Sequence, residues 1–189
     1  MTALERQRLY AFFSRLWVKE ADPAFLEVLA GPLGVEVLGA STAAQARSEA
    51  LDEDFAHLTI VDLVPYETFF QRDDAQIEAG GANPVATFLQ KYGFEVDLGS
   101  ARSLAPDHLG IELEVMSVLC RHEHEAREAG NEPLASAARR TQREFLVQHL
   151  LAWAPTYLFA ARRNARTATY RDGAEATLQF ICGDLEGLS

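Results

Sequence analysis

Apolar residues in this chain recur at helical spacing, with no convincing strand pattern, so the chain is limited to packing helices on helices. Leu9, Phe12, Phe13, Leu16 and Trp17 fall at i, i+3, i+4, i+7 and i+8, a single stripe on one helix face. Asp22-Pro23 predicts a restart and a short helix from Pro23 to Ala30, because proline suits a first turn. Ser41-Thr42 reads as the cap of a helix running to about Thr59, with Leu51, Phe55 and Leu58 inward and Glu49, Asp52 and Glu53 outward. Pro65 ends that helix near Val64. Gly80-Gly81 marks a turn, and Asn83-Pro84 starts a helix that stops at Gly93. Residues 95–105, with Gly99-Ser100, read as a linker. A long helix is expected from Pro106 to about Ala129, burying Leu109, Leu113, Met116 and Cys120, with Gly130 just past its end. A second runs from about Glu132 to Trp153 and buries Phe145, Leu146, Leu150 and Trp153. Pro155 is expected to open another to about Arg166, and Asp172 to cap a last one reaching Leu185. The expected fold is all-α: one multi-helix domain over residues 1–189, with an N-terminal segment over residues 1–94, the linker over 95–105 and a C-terminal segment over 106–189.

Composition narrows the function. Hydrophobic residues make up 48% of the chain, enough for a sizeable core, yet no apolar run approaches the roughly 18 residues of a membrane span. Met1 to Arg8 lacks the apolar stretch of a secretory leader, so the cytoplasm is the expected compartment. Cys120 and Cys182 sit in apolar helical patterns and are expected as reduced, buried thiols. A net charge of −11 argues against nucleic acid and permits a basic partner.

A search for catalytic chemistry returns little. His122 and His124 are two apart and point about 200° away from each other on a helix, so they cannot share an ion. The segment reads His-Glu-Ala-Arg-Glu, not His-Glu-x-x-His, and Asp54-x-x-His57 is a lone near miss to the paired motifs of di-iron bundles. No nucleophile elbow, phosphate loop or dinucleotide fingerprint occurs. No catalytic residue, metal site or cofactor is expected. Asp107 and His108 allow two readings: a helix start, with Asp107 at the positive end of the dipole and His108 paired with Glu112 on the surface, or a polar patch that meets a basic guest. Tyr66, Phe69 and Phe70 beside Pro65 are either a core plug or the lining of an apolar groove.

Four separated segments resemble the TorD/DmsD (NarJ-like) redox-enzyme maturation chaperones. They are Arg8-Leu9-Tyr10-x-Phe12-x-Ser14-x-Leu16, Pro65-Tyr66-Glu67-Thr68-x-Phe70, Pro106-Asp107-His108-Leu109-x-x-Glu112-Leu113-x-x-Met116, and Phe145-x-x-x-His149-Leu150-x-x-Trp153-x-Pro155. Thr68 and Phe70 stand where the family usually has Ser and Tyr, which removes one hydroxyl. The resemblance implies a cytoplasmic all-helical chaperone without catalysis. It would bind the twin-arginine signal peptide or the apo form of a molybdopterin-dependent oxidoreductase and delay export until the cofactor is loaded. Carried over by position, the peptide-binding residues are Tyr66, Glu67, Phe70, Asp107, His108, Glu112, Trp153 and Pro155. The resemblance allows a monomer or a domain-swapped dimer. Two other readings stay open: a scaffold that clamps a folded enzyme subunit and ignores leaders, and a helical-bundle metalloprotein using the histidines near 122.

Overall fold

A computed structural model describes residues 1–101 and 103–188. Among these, twelve α-helices are joined by turns and loops, and no strand forms beyond one isolated antiparallel bridge between Tyr66 and His108. They are α1 (Ala3–Val18), α2 (Pro23–Leu29), α3 (Pro32–Leu38), α4 (Ala40–Gln45), α5 (Leu51–Ala56), α6 (Glu67–Gln71), α7 (Pro84–Tyr92), α8 (Leu98–Ala101), α9 (Leu109–Glu128), α10 (Glu132–Phe145), α11 (Leu151–Asn164) and α12 (Ala168–Gly187). Two π-helical turns, His57–Val61 and Leu146–Leu150, follow α5 and α10. The all-α expectation holds. Of the expected linker 95–105, Arg102 lies outside the described residues, and Leu98–Ala101 is a short helix.

Local chemistry accounts for the ends that match expectation. The Thr2 hydroxyl accepts from Glu5 N while the Glu5 carboxylate accepts from Thr2 N, closing a capping box on α1. Asp22 and Asn83 cap the proline-led helices α2 and α7 in the same manner. Gly93 stops α7 in the left-handed conformation (φ 72°) that an L side chain adopts only with strain.

Four boundaries differ, each for a physical reason. The helix expected from Ser41 to Thr59 is interrupted. Gly39 (φ 85°) turns the chain from α3 into α4, residues 46–50 form a turn, and Glu49 swings round to accept from Ala168 N and Thr169 N at the start of α12. The helix expected from Pro106 begins instead at Leu109, because Asp107 and Leu109 are drawn into hydrogen bonds with Glu67 and Pro65. Pro155 does not open a helix: the chain stays helical from Glu132 to Asn164, and Pro155 is the fifth residue of α11. The π-turn just upstream adjusts the helix around the carbonyl that the proline ring would otherwise meet. The last helix is capped by Thr167, not Asp172, whose carboxylate accepts from the Thr42 hydroxyl. The Asp54 carboxylate accepts from Arg166 N and Thr167 N and completes that cap across the fold.

Packing places α1 at the centre. It lies along α9 and touches α12, while α9 also packs on α10 and α11 on α12. Tyr10, Phe13, Leu16 and Trp17 are buried there, and the Trp17 indole donates to the Thr177 hydroxyl at 3.0 Å. The expected inward stripe of α9, Leu109, Leu113, Met116 and Cys120, is wholly buried. Cys182 corrects the expectation of two buried thiols, since it is exposed on α12. A buried ionic network joins the first helix to the last: Arg6 donates bidentately to Asp184 (2.5 and 2.8 Å) and singly to Glu123 (3.2 Å). Tyr10 and Gln142 complete it at 2.7 and 3.0 Å. No helix among the described residues is long and apolar enough to cross a membrane.

Candidate functional site

The two most distinctive motif segments meet. Leu109 N donates to the Pro65 carbonyl (2.9 Å) and Glu67 N to the Asp107 carbonyl (3.0 Å), so 65–67 and 107–109 zip together ahead of α6 and α9. Asp107 then serves the neighbouring helix. Its Oδ2 accepts from Thr68 N (2.8 Å) and from the Thr68 hydroxyl (2.7 Å), satisfying a first-turn donor of α6 that has no partner within its own helix. Thr68 therefore supplies the hydroxyl that this position uses. The other carboxylate oxygen, Oδ1, is buried without a hydrogen-bond partner among the described residues.

His108 caps α9, its Nδ1 accepting from Gly110 N at 3.1 Å, which leaves the ring proton on Nε2. Its ring sits edge-on to Tyr66, with centroids 5.0 Å apart. Burial lowers its pKa to about 4, so the imidazole is neutral at physiological pH. The expected surface pair of His108 with Glu112 is not formed: both are buried, and Glu112 instead accepts from the Trp153 indole at 3.1 and 3.3 Å. Burial, and then the nearby charge of Glu67, push the Glu112 carboxyl well above the ordinary carboxylate range. Glu67, 1% exposed, lies 2.9 Å from His149 Nδ1, which the π-turn at 146–150 carries inward.

The expected site residues thus converge, but as a clamp. Tyr66, Glu67, Asp107, His108, Glu112 and Trp153 are all buried and tie α6, the start of α9 and the entry to α11 together. Their carboxylates are engaged by internal donors and do not form the solvent-facing acidic patch that one reading of the sequence expected. Phe70, against Trp153 at 5.4 Å, and Pro155 on α11 are the two that remain half-exposed. Among the described residues, the polar contacts of the His57, His108 and His149 rings are with Asp62 and Arg166, with Gly110 and with Glu67, none of them a hydroxyl or thiol. Among the described residues, no group of three or more His, Cys, Asp or Glu side chains is placed to hold a metal ion.

An open cavity of about 420 Å³ lies on the far side of α9, between α1 and residues 94–101. Val18, Ile111, Val115 and Val118 supply its apolar wall, and among the described residues Glu95, Asp97 and Glu114 are its ionisable ones. Sequence reading missed this surface. The signal was present as a second stripe on α9, Ile111, Val115 and Val118 at i, i+4 and i+7, beside the stripe assigned to the core.

Comparison with known proteins agrees in family. A family model described as nitrate reductase delta subunit matches residues 18–158. The chlorate reductase assembly chaperone protein of Ideonella dechloratans is 43% identical over 79 residues, 41% of this chain and 38% of that protein. The selenate reductase assembly chaperone protein of Thauera selenatis is 39% identical over 88 residues, 47% of this chain and 44% of that protein. The chain is therefore matched to less than half the length of either relative. No solved structure matches.

Proposed function

Because this chain belongs to the nitrate reductase delta subunit family, among the redox-enzyme maturation chaperones that its motifs resemble, we propose that it is an assembly chaperone for a molybdopterin-dependent oxidoreductase. It acts in the cytoplasm, holding the twin-arginine leader or apo form of its client and delaying export until the cofactor is in place. The observation that carries this reading is the coincidence of family and site: the matched residues 18–158 contain both segments that zip together and the helix that closes on them. Two relatives named as assembly chaperones of reductases support the client class.

The eight site residues divide by exposure. Phe70 and Pro155 are half-exposed, whereas Tyr66, Glu67, Asp107, His108, Glu112 and Trp153 are buried and hold the helices from inside. Binding, not catalysis, is what such a set can perform: it holds helices at fixed spacing while exposed acids and apolar side chains take a cationic, greasy segment. Calorimetric titration with the twin-arginine leader of a molybdoenzyme from the same source tests the reading. Saturable binding, lost when the arginine pair becomes a lysine pair, is the expected result. No heat with that leader, alongside capture of the mature enzyme alone, would replace the leader reading with a scaffold that clamps a folded subunit.

A further inference from the structure

We propose that the trough along the outer face of α9 seats a peptide segment in which basic residues precede an apolar run. The basic end lies over Glu95 and Glu114, and the apolar run extends along α9 towards α10. The proposal rests on the leader reading and adds a location and a direction to it.

The trough has two halves. The 420 Å³ cavity beside α1 and a second of about 640 Å³ beside α10 share Phe94, Glu95 and Val118, so they adjoin along α9 and together make up the trough. From Gly110 to His122 it follows thirteen residues of α9, roughly 18 Å over twelve rises of 1.5 Å. An extended peptide covers that length with about five or six residues. Phe94 marks the join, its ring stacked on His122 with centroids 5.8 Å apart. Beyond it the wall is Leu134, Ala137 and Ala138 of α10, with Leu134 54% exposed, a large apolar side chain left in water.

Charge gives the direction. Among the described residues, every ionisable residue lining the half beside α1 is acidic, and the exposed carboxylates of Glu95 and Glu114 have no ion-pair partner. The half beside α10 adds Arg121, already paired with Glu125, and His122. A guest whose cations lead and whose apolar residues follow matches this gradient in one direction only. The wall beneath it is closely packed. A Cβ placed on Gly110 would sit 2.7 Å from Val18 Cβ, so α1 and α9 meet backbone to backbone at the acidic end, and His108 caps α9 just below.

The test compares wild-type protein with Glu95→Lys/Glu114→Lys and, separately, with Val118→Trp, using one synthetic twin-arginine leader. Circular dichroism and thermal melts first establish that each variant is folded; both changes are at residues that are exposed or half-buried. A Kd raised tenfold or more in each variant is expected. In a parallel arm, a benzophenone placed at the end of the leader's apolar run should cross-link to residues of α10, and one beside its arginines to the segment around Glu95. Variants that bind like wild type, or cross-links confined to Phe70 and Pro155, overturn the trough while leaving leader binding intact. Absence of binding to the wild type overturns both.

Discussion

His108 and Glu112 sit one helical turn apart, buried, and burial drives their proton equilibria in opposite directions. For His108 the folded-state pKa is about 4 against an ordinary 6.5, so the folded protein binds fewer protons than the unfolded chain between those values. Its contribution is complete above about pH 6.5 and lost as pH falls towards 4, on the order of 3 kcal/mol in all. Glu112 is raised above 4.5, so the folded protein retains a proton that the unfolded chain releases. Its contribution is present below about pH 4.5 and is lost as pH rises towards the folded value. From about pH 4.5 to 6.5 the two slopes therefore oppose each other. His108→Asn, which keeps a capping side chain, is expected to make stability fall more steeply as pH rises through that window. Glu112→Gln, which keeps an acceptor for the Trp153 indole, is expected to make it climb. Urea melts across the window, each variant against wild type, check the signs. If both variants tilted the curve the same way, one of the two groups would carry a different proton count from that assigned.

The element on which the site depends is α9, and its approach to α1 is set by one missing side chain. At Gly110 an added Cβ would meet Val18 Cβ, Cα and N at 2.7–2.9 Å, and two of those atoms are backbone, which cannot rotate aside. Gly110→Ala should therefore push the helices apart and cost about 1–3 kcal/mol, read as a lower urea midpoint at unchanged m. An unchanged midpoint would mean that α1 slides without loss and that the trough wall is softer than its packing implies. That glycine carries no periodic signal, which is typical of what remained hidden in this sequence. Helices with their own signals, such as α2 and α7 with a capping side chain and proline, lie where the pattern placed them. Boundaries decided by distant partners do not. Residues 106–108 stay outside the helix where Glu67 N donates to the Asp107 carbonyl and Leu109 N to the Pro65 carbonyl, Glu49 and Asp54 turn to cap α12, and Pro155 is absorbed by a π-turn. The site residues were legible as a group because they share motifs. Their inward orientation was not, since a carboxylate facing a buried indole or hydroxyl looks the same in sequence as one facing water.

The whole molecule adds a long-range field to the local contacts. With a net charge of −11, it attracts any cationic peptide before a side chain touches it, within a Debye length of about 30 Å at 0.01 M salt and about 8 Å at 0.15 M. The field and the trough separate kinetically, because steering acts on association and desolvated contact on dissociation. Glu95→Lys/Glu114→Lys changes the net charge from −11 to −7, two units at each of two positions. Glu128→Lys/Glu186→Lys makes the same change at exposed residues that do not line the trough. Stopped-flow binding of a fluorescent leader should show association slowed in both variants by a comparable factor at low salt, a difference that closes by about 0.15 M. Dissociation should quicken only in the trough variant, on the order of tenfold. Equal dissociation rates in the two variants would mean that the acids at 95 and 114 act only through the overall field. The leader would then be held elsewhere on the molecule, and the half-exposed Phe70 and Pro155 above the clamp would be the next residues to substitute.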